Sequence, residues 1–422
     1  MSECSGKAGS CRELGECENT SGWQEYQFAD VLVDGNISYG IVQPGFHTEI
    51  DSVPIVRVNN IKDGKIKIED VLKVSSEIEQ KYQRTRLEGG ELLITVVGSV
   101  GECAIVPDSL KGWNVARAVS VARINNAFDK RYIKYCFKSE DLKFQMYGKT
   151  NDTVQPTLNL SLLRSLVLSI PPLPEQKAIA AVLSSLDDKI DLLHRQNQTL
   201  EAMAETLFRQ WFVEPARAGE PHAGGEAQED WAEMPLSRIA KFLNGLACQK
   251  YPPKNDLEKL PVLKIRELSG GVSESSDWAT SEMNPEYIVE AGDVIFAWSA
   301  SLMVKVWGGE RCVLNQHLFK VTSDEFPKWF YLMWCKHHLA EFISISSSHA
   351  TTMGHIKRGD LDAAMVNVPS PEELKEMTKQ MEPLLDKQIS IARQTRTLEK
   401  LRDTLLPKLM SGEVRVEFNT AQ

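Results

Sequence analysis

The sequence predicts an α/β (α+β) fold. Two similar mixed domains are separated by two long helices that pair as an antiparallel coiled coil, an internal repeat with pseudo-two-fold symmetry. Three observations carry this: the second half of the chain repeats the first, each half joins a strand-rich block to a long amphipathic segment, and a proline cluster marks each junction. The length of 422 residues agrees, since it exceeds what one core normally serves.

The repeat opens with Trp23-Gln24-Glu25 against Trp231-Ala232-Glu233 and Pro54-Ile55-Val56-Arg57-Val58 against Pro261-Val262-Leu263-Lys264-Ile265. Gly90-Glu91-Leu92-Leu93-Ile94 answers Gly292-Asp293-Val294-Ile295-Phe296. From Thr153/Thr351 onward the offset is constant, through Pro171/Pro369, Glu175/Glu373, Arg195/Arg393, Gln196/Gln394, Leu200/Leu398 and Leu207/Leu405. A period this long describes a duplicated two-part unit, not a solenoid.

Taken in order, residues 1–21 form a polar tail and 22–170 the first mixed domain. There ELLITVVGSVGECAIV carries β-branched residues broken by Gly and Ser, as strands and turns do, and YIKYCFKSEDLKFQMYG spaces apolar residues as short core helices do. The prolines at 171, 172 and 174 open the first long helix, 171–214. Its apolar residues alternate four and three apart: Ile179, Leu183, Leu186, Ile190, Leu193, Asn197, Leu200, Ala204, Leu207, Trp211. That is a coiled-coil seam, with Asn197 the kind of polar member that fixes register. A polar linker, 215–230, leads to the second mixed domain, 231–368, with DVIFAWSASLMVKVW and WFYLMWCKHHLAEFIS in the corresponding places. The second helix, 369–416, has a poorer seam that includes Leu384, Ile391, Thr395, Leu398, Arg402 and Leu405. Pro383 is expected to break or kink its first turns and Pro407 to end it, before a tail at 417–422.

Composition narrows the function. No apolar run reaches the ~18 residues of a membrane span, and the N-terminus lacks the apolar stretch of a signal peptide, so no membrane association and a cytoplasmic location are expected. The eight cysteines contain no C-x-x-C pair and are read as reduced thiols. Cys4, Cys11 and Cys17 have no ligand-like spacing. Against 48 basic side chains stand 58 acidic ones, a net charge of −10. Residues 1–21 (2 basic, 4 acidic) and 216–230 (1 and 4) supply −5 of it, so both mixed domains are near neutral and able to present a basic face.

Catalytic motifs are lacking. There is no G-x-x-x-x-G-K-[ST] phosphate cradle and no G-x-G-x-x-G after a strand. Asn284-Pro285-Glu286-Tyr287 has Glu286 where an amino-methyltransferase loop has proline, and Pro107-Asp108 with Asp141-Leu142-Lys143 places the second carboxylate in a helical segment rather than a strand; both are read as chance. His337, His338, His349 and His355 lack a companion ligand cluster, so no metal site is expected.

Two variable blocks, each followed by a Pro-rich hinge and a long helix, with I-P-P-L-P-E-Q-K at 170–177 and T-L-E-K-L-R-D-T-L-L-P-K-L-M-S-G-E-V at 397–414, resemble the specificity (S) subunit of type I restriction-modification enzymes. The resemblance runs from Trp23 to Val416. G-E-L-L-I-T-V-V-G-S-V-G-E-C-A-I-V-P at 90–107 and L-N-Q-H-L-F-K-V at 314–321 look like the family's strand motifs, and the Cys-containing tail before Trp23 departs from it.

The resemblance implies a non-catalytic reader of double-stranded DNA with two target-recognition domains. Each contacts one half of a split site, and the helices set the spacer and dock modification (methyltransferase) subunits, through which restriction (motor-nuclease) subunits join. No cofactor belongs to this chain; S-adenosylmethionine, ATP and Mg would be used by the partners. Candidate DNA contacts are drawn from polar, basic stretches: Lys81, Gln83, Arg84 and Arg86; Asn114 and Arg117; Lys149, Asn151, Thr153 and Gln155; Asn315, Gln316 and His317; Thr351, Thr352, His355, Lys357 and Arg358. Arg pairs with guanine edges, and Asn or Gln with adenine edges. The rival reading is a non-enzymatic coiled-coil scaffold or tether whose globular domains bind protein.

Overall fold

The computed structural model describes residues 22–148, 157–214, 231–348 and 355–417. The chain forms two compact units, one of residues 1–187 and 401–422, the other of residues 188–400. Each unit combines one mixed domain with part of both long helices. Among the described residues no helix is long and apolar enough to cross a membrane.

In the first unit, a four-stranded antiparallel sheet has the order Leu32–Tyr39, Val119–Ile124, Leu92–Thr95, Cys103–Ile105. A three-stranded sheet runs Leu72–Ser75, Ser52–Val56, Asn114–Val115, its last pair parallel. Gln24–Gln27 pairs with Val167–Ile170 and closes the domain end to end. Helices Lys130–Cys136 and Glu140–Tyr147 cover the sheet, the first capped by Asp129 Oδ1, which accepts from the Arg131 and Tyr132 amides at 2.9 Å.

The second unit repeats this plan. Its four-stranded sheet is Lys241–Asn244, Leu318–Thr322, Val294–Ala297, Met303–Val306, and Lys259–Leu263 again pairs in parallel with Cys312–Leu314. Ala232–Pro235 with Met365–Val368 makes the closing pair, and Lys328–His337 and Leu339–Ser348 are the covering helices.

The first long helix, Leu173–Phe208, continues into a π-helical turn, Arg209–Val213; the second spans Pro371–Ser411. The expected break at Pro383 and stop at Pro407 do not occur. Both rings are exposed, and the buried residues beside them, Met381 and Leu385 in one place and Leu409 and Met410 in the other, hold the helix across the missing N–H donors. In the first unit, Ile179, Ala180 and Leu183 share a core with Leu409 and Met410; in the second, Ala204, Phe208 and Phe212 share one with Met381 and Leu385. Each contact joins an early stretch of one helix to a late stretch of the other, an antiparallel sense.

The seam is wider than the four-three alternation. Ile190, Leu193, Ala204 and Ile391 are buried, while Leu186, Leu200, Leu207, Leu384, Leu398 and Leu405 are half-buried and Ala180 and Leu385 take buried places beside them. A straight helix drifts against a seven-residue repeat, which spreads the stripe. Asn197 Oδ1 and Thr395 Oγ1, the same position of the two repeats, are both enclosed without a hydrogen-bond partner.

Each mixed domain is fastened to its helices by polar contacts. In the first unit, the Tyr135 hydroxyl donates to Asp187 Oδ2 at 2.7 Å and Arg402 Nη1 donates to Asp187 Oδ1 at 3.2 Å. Burial alone would push the Asp187 carboxyl up, but Lys138, the Tyr135 hydroxyl and Arg402 outweigh it and hold it below the ordinary aspartate range. Arg415 reaches the fully buried Glu175, its Nη2 donating to Oε2 at 2.9 Å.

Arg402→Met should therefore cost about 1–3 kcal/mol, because Asp187 stays half-enclosed without its guanidinium. A carboxyl with a depressed folded-state pKa contributes stability above its unfolded value, near pH 4, and loses it as pH falls through the folded value. Urea unfolding of wild type and variant should differ at pH 7 and converge as pH drops below about 4. A gap of unchanged size at low pH would contradict this account.

Candidate nucleic-acid interface

The polar side chains picked from sequence do not form one surface, but several meet at a single turn built twice. In the first unit the chain leaves the three-stranded sheet at Val115 and enters the four-stranded sheet at Val119 through Ala116-Arg117-Ala118. The turn is pinned on one side by Ile41, whose N–H donates to Val115 O at 2.8 Å and whose carbonyl accepts from Arg117 N at 2.9 Å. Gly40 makes this approach possible, since a Cβ there would lie 2.0 Å from Val115 O. On the other side Val96 N donates to Ala118 O at 2.9 Å and Val96 O accepts from Leu158 N at 2.8 Å, which brings Thr157 beside Val97.

The second unit has the same frame with other side chains. Leu246 N donates to Leu314 O at 2.9 Å, Gln316 N donates to Leu246 O at 2.8 Å, and a Cβ on Gly245 would lie 2.3 Å from Asn315 O. Trp298 N donates to His317 O at 3.4 Å, Ile356 N donates to Trp298 O at 3.2 Å, and His355 pairs with Ser299. Arg117 thus corresponds to Gln316, Ala118 to His317, Val96 to Trp298 and Thr157 to His355.

Arg117 is exposed at the tip of the first turn. In the second, Gln316 Nε2 lies 3.2 Å from His317 Nε2 and Ser299 Oγ lies 3.1 Å from His317 Nδ1. An amide nitrogen only donates, so His317 is assigned the tautomer with Nδ1–H toward Ser299, which leaves Gln316 Oε1 available as an acceptor. Trp298 stacks on Phe319 at 5.5 Å, its ring centre 6.1 Å from His317 and 6.2 Å from His355, and its Nε1 donates to Asn244 Oδ1 at 3.2 Å. Sequence reasoning passed over Trp298, Ser299 and Asn244. The available signal was an aromatic-polar pair, Trp298-Ser299, closing an otherwise apolar strand.

Other candidates are placed differently. Asn114 is fully buried: its Nδ2 donates to Glu79 Oε1 at 3.0 Å and to Tyr82 O at 3.1 Å, and its Oδ1 accepts from the Thr85 hydroxyl at 2.7 Å. It is a structural residue and not a surface contact. Arg86 is likewise engaged, its Nε donating to Glu79 Oε1 at 2.8 Å; that hydrogen bond holds the Glu79 carboxyl below its ordinary value. Asn315 is also buried, with Oδ1 accepting from His317 N at 3.4 Å. Lys81 sits one helical turn from Glu77 at 3.5 Å, and Gln83 and Arg84 are exposed on the 3₁₀ turn Gln80–Thr85. Lys357 and Arg358 are exposed at the start of helix Arg358–Ala363. Lys149, Asn151, Thr153, Gln155, Thr351 and Thr352 lie outside the described residues, as do His349 and Cys4, Cys11 and Cys17. Asn284 caps the short turn Pro285–Tyr287, its Oδ1 accepting from Glu286 N at 3.3 Å.

One mixed domain and one long helix, each present twice, with polar side chains gathered at one equivalent turn, define a duplicated two-domain architecture. A family model described as the type I restriction modification DNA specificity domain matches residues 22–202 and again 228–400, and the chain belongs to that family. The type I restriction enzyme MjaIX specificity subunit of Methanocaldococcus jannaschii is 27% identical over 342 residues, 78% of each chain. The EcoKI specificity subunit of Escherichia coli strain K12 is 22% identical over 411 residues, covering 87% of this chain and 84% of that one. Among solved structures, the S subunit of the type I restriction-modification system of M. genitalium gives a TM-score of 0.57 at 14% identity, over 96% of this chain and 99% of that one, a likeness of fold. The matched family is that of a DNA specificity domain, so the rival reading, a non-enzymatic coiled-coil scaffold or tether whose globular domains bind protein, is not favoured.

The burial difference between Asn114 on the strand before this turn and Arg117 at its tip is testable. Asn114→Ala should lower stability by about 1–3 kcal/mol, because Glu79, Tyr82 O and Thr85 lose an enclosed partner. Arg117→Ala, at an exposed tip, should change it by less than about 0.5 kcal/mol. Equal effects in chemical unfolding would refute the assignment of Asn114 to the interior.

Proposed function

We propose that the chain is the sequence-reading subunit of a type I restriction-modification complex. Each mixed domain would read one half of a bipartite site in double-stranded DNA, with the turn at Arg117 in the first and at Gln316-His317 in the second, supported by Trp298 and His355, facing the bases. The carrying observation is that one backbone frame is built twice with different side chains at its tip. A protein that reads two unlike half-sites needs that combination: the same scaffold for docking, and different donors and acceptors for the base edges. Arg117 offers paired donors suited to guanine, and Gln316 a donor and an acceptor suited to adenine. Gln83, Arg84, Lys357 and Arg358 would hold phosphates.

The helices, in this reading, set the spacer between half-sites and dock modification subunits, with restriction subunits joining through those. The partners would supply S-adenosylmethionine, ATP and Mg chemistry, while this chain contributes specificity without catalysis, in the cytoplasm where the genome is accessible.

Mapping methylated adenines in cells that carry the chain with its partner subunits tests the reading. Replacing residues 22–160 by the equivalent block of a relative should change one half of the methylated site and leave the other intact; a swap that alters both halves would argue against two separate readers. Inserting four residues after Gln196 adds ~6 Å of helix and nearly keeps the seam in phase. At ~3.4 Å per base pair, the same two half-sequences should then be methylated with a spacer longer by one or two base pairs. A two-residue insertion rotates the apolar stripe by about 200° and should abolish assembly. An unchanged spacer with activity retained in the four-residue variant would show that the helices do not measure distance.

A further inference from the structure

Arg117 and Gln316 stand at the same place on the two turns, and they differ in symmetry as well as in donors. A guanidinium donates from every edge, so turning it over changes nothing that a base would meet. A carboxamide carries an oxygen on one side and an NH2 on the other, and turning it by half a revolution exchanges acceptor for donor. A reader built on glutamine therefore needs something that fixes which way the amide faces.

The second turn supplies it. Gln316 Nε2 lies 3.2 Å from His317 Nε2, and His317 Nδ1 lies 3.1 Å from Ser299 Oγ. Ser299 is buried, and its contact sets which edge of the imidazole faces Gln316. Because the amide nitrogen only donates, the facing ring nitrogen is the bare one and the ring proton sits on Nδ1. Inverting the amide alone would set Oε1 against that bare nitrogen, lone pair against lone pair, and would give up the hydrogen bond. The histidine is itself held. Its N–H donates to Asn315 Oδ1 at 3.4 Å and its carbonyl accepts from Trp298 N at 3.4 Å. The Trp298 ring, tied through Nε1 to Asn244 Oδ1 at 3.2 Å, stands 6.1 Å from the imidazole between ring centres.

The first turn lacks this apparatus. Val97 pairs with Thr157 as Ser299 pairs with His355, and Val96 N donates to Ala118 O as Trp298 N donates to His317 O. Val97 and Ala118 thus hold the places of Ser299 and His317, and neither has a polar side chain. Of the two turns, the orienting pair stands beside the amide and not beside the guanidinium.

We infer that His317, steadied by Ser299, is a positioning residue that keeps the Gln316 carbonyl toward the bases, so that the second half-site is read by an acceptor. This rests on the reading of that turn as base-facing. An outward Oε1 accepts from the 6-amino group of adenine and meets the 6-oxo group of guanine as a like partner, whereas an outward NH2 would donate to guanine O6. His317 therefore acts against guanine more than it acts for adenine: it excludes the inverted amide that guanine would otherwise select.

The test uses the full chain assembled with its modification subunits, and duplexes in which each adenine of the mapped second half-site is replaced in turn by guanine, paired with cytosine. In the wild-type complex one replacement should weaken binding about 10- to 100-fold, and Gln316→Ala should remove most of that penalty, which marks the adenine that Gln316 reads. At that position His317→Ala should hold the adenine duplex within about threefold of wild type and bind the guanine duplex about tenfold tighter, because the amide is free to invert. His317→Gln, whose oxygen again accepts from the amide, should restore the penalty. Selectivity at the first half-site should be unchanged in all three variants. A His317→Ala complex that keeps the full guanine penalty overturns the inference and leaves Gln316 as the reader. Equal weakening on both duplexes, or a His317→Gln complex as tolerant as His317→Ala, also overturns it, since the imidazole would then be packing or a contact in its own right. If Gln316→Ala relieves no penalty at any adenine of the half-site, the base-facing role of the turn fails and the inference with it.

Discussion

Everything in this chain depends on burying the apolar flanks of two very long helices. A helix of 36 residues and another of 41 expose far more apolar surface than propensity alone offsets. The chain solves this inside each unit. Ile179, Ala180 and Leu183 enter the core that also holds Phe28, Tyr132 and Leu168, together with Leu409 and Met410 from the end of the chain. Ala204, Phe208 and Phe212 enter the core around Trp329, Phe330 and Trp334, together with Met381 and Leu385. Residues 401–417 are therefore part of the first unit although they come last in sequence, and Arg415 secures Glu175 at the start of the first helix.

A second constraint is the close crossing of backbone at Gly40 and Gly245. Each lets a strand end pass within hydrogen-bonding distance of the turn between two sheets, and each would be blocked by a single added carbon. The result is a turn whose backbone is fixed from both sides while its side chains are free to differ. Ala118 and His317, or Val96 and Trp298, occupy equivalent positions with nothing chemical in common. Rigid frame and variable tip is the arrangement that recognition of different partners by related domains requires.

Buried carboxylates do the fastening. Glu79, Glu175 and Asp187 each meet an arginine, Arg86, Arg415 and Arg402 respectively. Such pairs add little net stability over a well-packed apolar alternative, but losing one partner strands a charge. They tie helix Ser76–Glu79 to the end of the turn that follows it, the segment after the second long helix to the start of the first, and the two long helices to each other, and so specify which segments meet.

Much of the architecture was legible in sequence. The repeat gave the domain plan, because duplicated chains repeat their elements, and the four-three spacing gave the helices, because apolar periodicity reports which face is buried. Prolines misled: Pro383 and Pro407 read as breaks, yet flanking packing at Met381, Leu385, Leu409 and Met410 carried the helix through them. The candidate interface was only half legible. Residue type marked Arg117, Gln316, His317 and His355 as chemically able, but the same criterion chose Asn114, Asn315 and Arg86, which are buried or spent on Glu79. Polarity is a property of the side chain alone, and the sequence determined it along with the repeat and the helical period. Whether a polar group faces water or a buried partner depends on segments far apart in the chain, such as Glu79 against Asn114 or Trp298 against His355, and only the tertiary structure decided that.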